Sequence, residues 1–512
     1  MDEQNKLIYF LKQPTFLIIV GYLYIISTIN FSFTPYDSGI ILTGGMRILN
    51  GELPYKDFFT MYAPGQFYLD AILEFIYSEV LFIRFILSFI QLGIIYLLYK
   101  ISNLLFDNKY YIYSILLASI WLGALDMWNR AIILALFFNI LLVYNILNHH
   151  IKNKELNYIK LALIISLIMF FRHDVGVLTF IVFNIYLVFN KFKDSSLKII
   201  ISLYSKLFIG FIPLIIFSVY LLFHVDFATI YEQLITIPKE VFPKYRSIPF
   251  PNPFQSGDLF RIIKNILLSS AFFISVINLV LLLIIYIKNK KIDKNIIIYS
   301  LFLIPLLNQM IVRSELEHAL PATLFSIPII FYSFDKLFNI KYILLLTLVF
   351  FSPNMFAYKF FTLKTVFPTF VSSDINNFNN IFVSEEYNND LKSAINYIRE
   401  NTEVNEKIYV GLENHDIVFT NEASFYFMAE RMPGTRYHEL HPGITTTKLG
   451  NEQIIFDLEK NSVNFLVLYE NVISDENNLS TQSSGEHRLD IYIAQKFNII
   501  EQFGKIKILQ RN

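Results

Sequence analysis

Apolar residues run together in long stretches through most of the chain, at about Phe16–Phe31, Val80–Tyr99, Tyr110–Gly123, Ala131–Leu147, Leu161–Phe171 and Val175–Phe189. The pattern continues at Ile199–Phe223, Ile262–Ile287, Ile296–Val312, Leu320–Phe334 and Tyr342–Phe356. Runs this apolar read as helices dissolved in lipid, about eleven in all. The shorter ones extend into neighbouring polar positions, because a straight span needs roughly 20 residues. The first run follows Lys6 and Lys12 as a signal peptide would, but Ile25 to Asn30 supplies no small-x-small cleavage site. It reads as an uncleaved first span.

From about Ser373 the pattern changes to Asn, Glu, Asp and Lys punctuated by short periodic segments. Leu391–Glu400, Glu452–Lys460 and His487–Gln495 have helical spacing, Lys407–Gly411 and Phe465–Leu468 read as strands, and Phe497–Leu509 as a strand pair. Alternating helix and strand predicts a small α/β domain. The expected fold class is therefore a multi-span α-helical membrane domain over residues 1–370, followed by a C-terminal extracytoplasmic α/β domain over residues 371–512. No phosphate-cradling glycine loop occurs in the tail, where Gly443 and Gly450 are isolated turn residues.

Charge sorts the connecting loops. Lys100 and Lys109, then Lys152, Lys154 and Lys160, then Lys191, Lys193 and Lys198, then Lys288 to Lys294, and Lys336 with Lys341 fall in alternate loops. The positive-inside rule makes those loops and the N-terminus cytoplasmic and the C-terminal region external. The intervening loops mix arginine with acids: Asp126 and Arg130; Arg172, His173 and Asp174; Arg313, Glu315, Glu317 and His318. Arginine on that face is informative, because its planar fork binds phosphate or carboxylate oxygens in pairs. With 42 basic and 42 acidic residues the net charge is zero, so nothing points to nucleic acid. The absence of cysteine removes disulfides, thiolate catalysis and cysteine-ligated metals. The Ile, Lys and Asn bias suits a bacterial chain of the cytoplasmic membrane.

Two longer outer segments complete the external face. His224–Arg261 carries Pro238, Pro243, Pro249, Pro251 and Pro253 with Lys244, Tyr245 and Arg246, and is expected not to be a buried helix but a lid over the site, a wall of the acceptor groove or a plain connector. The first outer loop, residues 32–66, runs Pro35-Tyr36-Asp37-Ser38-Gly39, then Gly51-Glu52-Leu53-Pro54-Tyr55-Lys56-Asp57-Phe58-Phe59, then Pro64-Gly65. Ser38–Leu49 is expected to form a helix along the membrane surface that ends at Asn50-Gly51, with Asp37 near its N-terminus. Asp70 and Glu74, one turn apart near the second span, are expected at the interface and do not make a glycosidase pair.

This loop resembles the first periplasmic loop of the GT-C superfamily, in the branch of protein O-mannosyltransferases and aminoarabinose transferases. That branch has an aspartate after the first span, a Gly-x-x-Pro-Tyr-x-Asp-Phe run and a Pro-Gly before the second span; Asp37, Gly51 to Phe58 and Pro64-Gly65 match. Ser38 follows Asp37 where the mannosyltransferases carry an Asp-Glu pair, which points away from protein mannosylation. The resemblance implies an inverting glycosyltransferase taking sugar from a polyprenyl-phosphate donor to a hydroxyl on a lipid, glycan or protein acceptor outside the membrane.

Such a reaction needs a base on the acceptor hydroxyl, for which Asp37 is the candidate, and cations on the departing phosphate, for which Lys56, Arg172 and Arg313 stand on the expected face. Tyr55, Asp57, Asp174 and His318 are candidate donor or acceptor contacts. A divalent metal at His173, Glu315 and His318 is the candidate cofactor, though their spacing matches no established ligand motif. Structural roles compete at each position. Asp37 can cap the surface helix, Asp57 can hold a turn, and Arg172–Asp174 and Arg313–Glu317 can be ion pairs at helix ends. Rival functions are a polysaccharide polymerase or ligase, a transporter, and a non-enzymatic scaffold.

Overall fold

The computed structural model describes residues 12–31, 33–107, 109–123, 131–192, 196–252, 254, 258–314, 316–337, 359, 370–474 and 476–512. The expected span Tyr342–Phe356, together with Asp126, Arg130 and Glu315, lies outside them. Contacts group the chain into two units, one of Met1–Ile29, Ile86–Tyr220 and Pro249–Phe361, the other of Asn30–Phe85, Leu221–Ile248 and Thr362–Asn512.

The first unit is helical. Val80–Phe106, which it shares with the second, and Ala131–Lys152, His173–Asn190 and Leu197–His224 are long and apolar enough to cross a membrane. Pro14–Ile26, Tyr111–Leu122, Tyr158–Phe171, Phe273–Asn289 and Lys294–Leu307 are shorter apolar helices. The most apolar window of Leu197–His224 is only 17% buried, with Ile216 64% and Phe223 83% exposed. Side chains of that kind on an outer surface are stable against hydrocarbon, not against water. Helices approach closely where residues are small: a Cβ on Gly21 would come 2.1 Å from Ser119 Oγ, the kind of contact that packs helices in lipid. The expected run Ile296–Val312 is broken into Lys294–Leu301, Ile304–Leu307 and Gln309–Val312, with Pro305 in the first turn of the middle piece, where its missing N–H is tolerated.

The second unit combines segments far apart in sequence. Its C-terminal part holds a four-stranded sheet of β3 (Ile408–Leu412), β4 (Phe465–Tyr469), β5 (Phe497–Phe503) and β6 (Ile506–Arg511), in the order β3-β4-β6-β5. β3 and β4 are parallel, with Ile408 opposite Phe465, and the other pairings are antiparallel. A parallel pair needs a long crossover, and the helices Ser424–Ala429 and Lys448–Lys460 lie within it. Thr447 caps the second of these, accepting from Gly450 N at 3.1 Å. A separate hairpin pairs β1 (Phe370–Ser372) with β2 (Phe382–Ser384), and Ser384 caps the helix Glu385–Asn401. The expected strands and helices of the tail are present, and the helix Ser424–Ala429 adds to them.

The first outer loop belongs to this unit. Its surface helix spans Asp37–Leu49, and Gly51 takes φ +81°, a conformation glycine adopts without steric cost, to reverse the chain. A second helix, Gly65–Ile76, follows; its Asp70 and Glu74, expected at the interface, are instead 2% and 6% exposed. The proline-bearing segment forms short helical pieces in which few residues are buried. Phe227–Tyr231 leads into a wide-turned helix Glu232–Val241 and then Phe242–Arg246. Pro238 lies inside the wide turns, which accommodate a residue lacking its N–H, and Pro243 lies in the first turn of the last piece.

Arg47 ties these parts together. It is 2% exposed, and its Nε donates to Glu52 Oε2 at 2.5 Å, one terminal nitrogen to the Thr435 carbonyl at 3.0 Å and the other to the Asp57 carbonyl at 2.9 Å. Its guanidinium lies 5.1 Å from the Phe58 ring centroid. Gln233 joins the helical segment to the same loop, accepting from Thr60 N at 3.0 Å and donating to the Tyr55 carbonyl at 3.1 Å. Phe59, Met61 and Ile237 share a core with Tyr409, Leu440, Leu466 and Leu509 of the tail.

Two substitutions test this arrangement. Arg47→Met keeps volume but leaves Glu52 and two carbonyls without their donor, and is expected to cost about 3–5 kcal/mol, read as a lowered melting temperature in detergent. Gly39 packs its α-carbon on the tail, where a Cβ would come 2.2 Å from the backbone nitrogen of Ser424. Gly39→Val should therefore destabilise by about 1–3 kcal/mol in the same assay; wild-type melting would show that the two backbones do not meet there.

Candidate active site

Asp37 opens the surface helix. The N-cap position is Tyr36, so Asp37 occupies the first turn, where its carboxylate is favoured by the positive end of the helix dipole. It is half-buried. The helix beneath it is held by Thr43, whose hydroxyl donates to the Ala423 carbonyl at 2.7 Å, and by Ser424 N, which donates to the Pro35 carbonyl at 3.2 Å.

The other loop candidates separate by environment. Tyr55 is fully buried at φ +71°, and its hydroxyl donates to the Tyr62 carbonyl at 2.8 Å. Asp57 accepts from Leu53 N at 2.8 Å and so holds the turn, while its carbonyl serves Arg47. Lys56 between them is exposed.

Sequence reasoning did not assign the residues that gather beside Asp37. Glu439 is fully buried, and the hydroxyl of Tyr36 donates to its Oε1 at 3.3 Å. Burial pushes the Glu439 carboxyl up to about 8; Tyr36 and the nearby positive charge of Arg246 oppose this and Asp37 adds to it. Arg246 is 5% exposed, donates to the Phe419 carbonyl, and lies 4.7 Å from the Phe419 ring centroid and 5.6 Å from that of Tyr36. His441 is buried beside Phe242, with Nδ1 2.7 Å from the Pro442 carbonyl; burial and the charge of Arg246 pull its pKa down to about 3. His438 faces the other way, its Nε2 3.2 Å from the Ile40 carbonyl. The available sequence signal was the run His438-Glu439-Leu440-His441, three ionisable residues in four, in a segment otherwise read as loop.

Further along the same unit burial disfavours the charged forms of Asp70 and Glu74. Burial raises Asp70 to about 7, and burial with the neighbouring Asp70 raises Glu74 to about 10. Gly45 makes room for them, since a Cβ there would meet Glu74 Oε1 at 2.6 Å.

The remaining candidates belong to the first unit. Arg172 grips Asp174 through two bonds, Nε to Oδ1 at 3.1 Å and a terminal nitrogen to Oδ2 at 2.9 Å, and Gln309 bonds to both. This is the helix-end ion pair weighed from the sequence. His173 is half-buried beside them, Arg313 is half-buried after the helix Gln309–Val312, and His318 is half-buried on Leu316–Phe325. Among the described residues, the metal-ligating side chains grouped within 4.8 Å of one another are Asp416, His487 and Asp490. Two carboxylates and an imidazole suit a divalent cation. Ser483 donates to Asp416 at 2.5 Å, and His415, 2.7 Å from Asp490, orients the other acid.

No family model and no curated protein matches this sequence. Solved structures do. ArnT from Cupriavidus metallidurans bound to undecaprenyl phosphate is 8% identical and aligns over 99% of this chain and 98% of its own, with a TM-score of 0.57. The archaeal oligosaccharyltransferase AglB from Archaeoglobus fulgidus, in complex with an inhibitory peptide and a dolichol-phosphate, is 13% identical over 89% of this chain and 69% of its own, with a TM-score of 0.55. The Archaeoglobus fulgidus oligosaccharyltransferase complexed with zinc and sulfate gives 14%, 88%, 68% and 0.52. At these identities the likeness is one of fold, and the chain has the GT-C membrane fold that its first outer loop resembles.

Proposed function

We propose that this chain is an inverting glycosyltransferase that moves a sugar from a polyprenyl-phosphate donor to an acceptor hydroxyl on the outer side of the membrane. The observation that carries the reading is Asp37: a carboxylate in the first turn of a rigidly packed surface helix, beside a buried polar cluster, in a fold shared end to end with a structure bound to undecaprenyl phosphate. Asp37 takes the proton from the acceptor hydroxyl as its oxygen attacks the anomeric carbon, and the bond to the phosphate oxygen breaks with inversion. The phosphate leaves as an anion and needs positive charge, not a proton. Lys56, Arg172 and Arg313 are assigned that role, with Tyr55, Asp57, Asp174 and His318 as contacts.

The same reading assigns about eleven spans, a membrane domain of residues 1–370 with its N-terminus in the cytoplasm, and an external domain of residues 371–512 in a bacterial cytoplasmic membrane. Lysine-rich alternate loops support that orientation. A divalent metal remains part of the proposal, with Asp416, His487 and Asp490 as a grouped ligand set alongside the sequence candidates His173, Glu315 and His318.

Transfer of radiolabelled sugar from a panel of polyprenyl-phosphate donors to membrane extract tests the reading. Asp37→Asn should lower transfer by roughly 10²–10⁴-fold while the protein stays inserted and melts as wild type does. Equal transfer by both would remove Asp37 from the proton-transfer step. No transfer by wild type from any donor would favour the transporter or scaffold alternative.

A further inference from the structure

Glu439 has no part in the proton transfer just described, yet three distant segments converge on its carboxyl group. Of these, Tyr36, adjacent to Asp37, reaches it from the surface helix and Arg246 from the end of Phe242–Arg246, the third segment being Glu439's own, on which His441 lies two residues further along under the same Arg246 charge. One oxygen, Oε1, takes the Tyr36 hydroxyl. The other, Oε2, is buried and has no hydrogen-bond partner among the described residues, and the same holds for Nε2 of His441. A polar atom buried without a partner costs about 1–3 kcal/mol. Such atoms are rare in native proteins and call for an explanation. Two of them around Arg246, one on the Glu439 carboxyl that feels the Asp37 charge, mark a place suited to receive hydrogen bonds from something that binds there.

The chemistry of that ligand follows from the charges around it. Arg246 already supplies a cation to this cluster, which disfavours an ammonium group or a metal ion. Among the described residues these side chains do not group with a third metal-ligating side chain within 4.8 Å. The neutral carboxyl group that burial favours both donates and accepts. His441, whose Nδ1 faces the Pro442 carbonyl, keeps an acceptor lone pair on Nε2. A neutral donor with neutral acceptors is the complement of sugar hydroxyls.

We propose that Glu439 binds substrate at the Asp37 site, its neutral carboxyl group hydrogen-bonding a hydroxyl of the saccharide, with Tyr36 and Arg246 as positioning residues. The proposal rests on the glycosyltransferase reading above. The carboxyl, pushed up to about 8, is neutral below that pH and ionises above it, losing its donor and placing a second negative charge near Asp37. The titratable and charged groups acting on it are Tyr36, Asp37 and Arg246, with His441 two residues along its segment. Tyr36 ionises well above 10 and His441 takes its proton near 3, so neither changes charge in that window.

The test is the pH profile of kcat/KM for transfer from the polyprenyl-phosphate donor. In wild type it should fall as pH rises through about 8. Glu439→Gln, which donates and accepts but cannot ionise, should lose that fall while keeping activity at pH 7 within about tenfold of wild type. Glu439→Ala should raise KM by about tenfold or more. An alkaline fall that persists in Glu439→Gln, or an unchanged KM in Glu439→Ala, overturns the proposal. Absence of transfer by wild type would count against the functional reading alone. Infrared pH titration of the intact protein then decides: a protonated-carboxyl band that disappears around pH 8 and is missing from Glu439→Gln upholds the neutral carboxyl, and no such band overturns it.

Discussion

A single buried guanidinium sets the geometry on which the Asp37 site depends. Arg47 is bonded to Glu52, to the Asp57 carbonyl and to the Thr435 carbonyl, and lies over Phe58. Burying a charge is tolerable only when its hydrogen bonds are made, so the fork fixes three pieces of chain at once. It closes the turn Gly51–Phe58 back onto the surface helix, and it brings the segment beginning at Thr435 against that helix. Glu439 and His441 follow within that segment. Arg47 has its donors committed to this framework and is a poor phosphate binder, although it is an arginine on the expected face.

What the sequence made legible divides along physical lines. The apolar helices were readable because lipid imposes a uniform demand along the whole segment, so hydropathy alone locates them. The surface helix was readable because both its ends carry local signals, Asp37 at one and Asn50-Gly51 at the other, and the helix Asp37–Leu49 stops there. The tail strands were readable from short apolar runs between turns. The helical pieces of segment 227–246 were not legible because prolines count as helix breakers, whereas wide turns absorb Pro238 and a first turn absorbs Pro243. The burial of Asp70 and Glu74 was not legible because carboxylates seek water, whereas here the space over Gly45 takes the Glu74 carboxyl.

The site itself was half legible. Asp37 stands out because its position just after the first span is a property of the sequence. Glu439 and Arg246 carry no comparable local signal, since the bond from Tyr36 to Glu439 spans 403 positions and only tertiary packing makes it. Arg172 illustrates the opposite limit: its type and place pointed to phosphate, and its fork is found on Asp174 and Gln309. Residue type predicts what a side chain is able to bind. Which partner reaches it first is decided by neighbours the linear pattern does not name.

The close contact between Gly39 and the tail backbone bears on how Asp37 acts. A helix lying on a membrane surface by its apolar face alone is free to roll, and a base that moves by an ångström forfeits much of its advantage. Here the helix is fixed at a backbone-to-backbone approach at Gly39, by the Thr43 hydroxyl bond about one turn further on, and by Arg47 near its far end. The groups around Asp37 come from elements locked to that same helix. The carboxylate and the buried cluster therefore move as one body. A rigid relation between a base and the groups that hold its substrate is what a proton transfer at a fixed position requires.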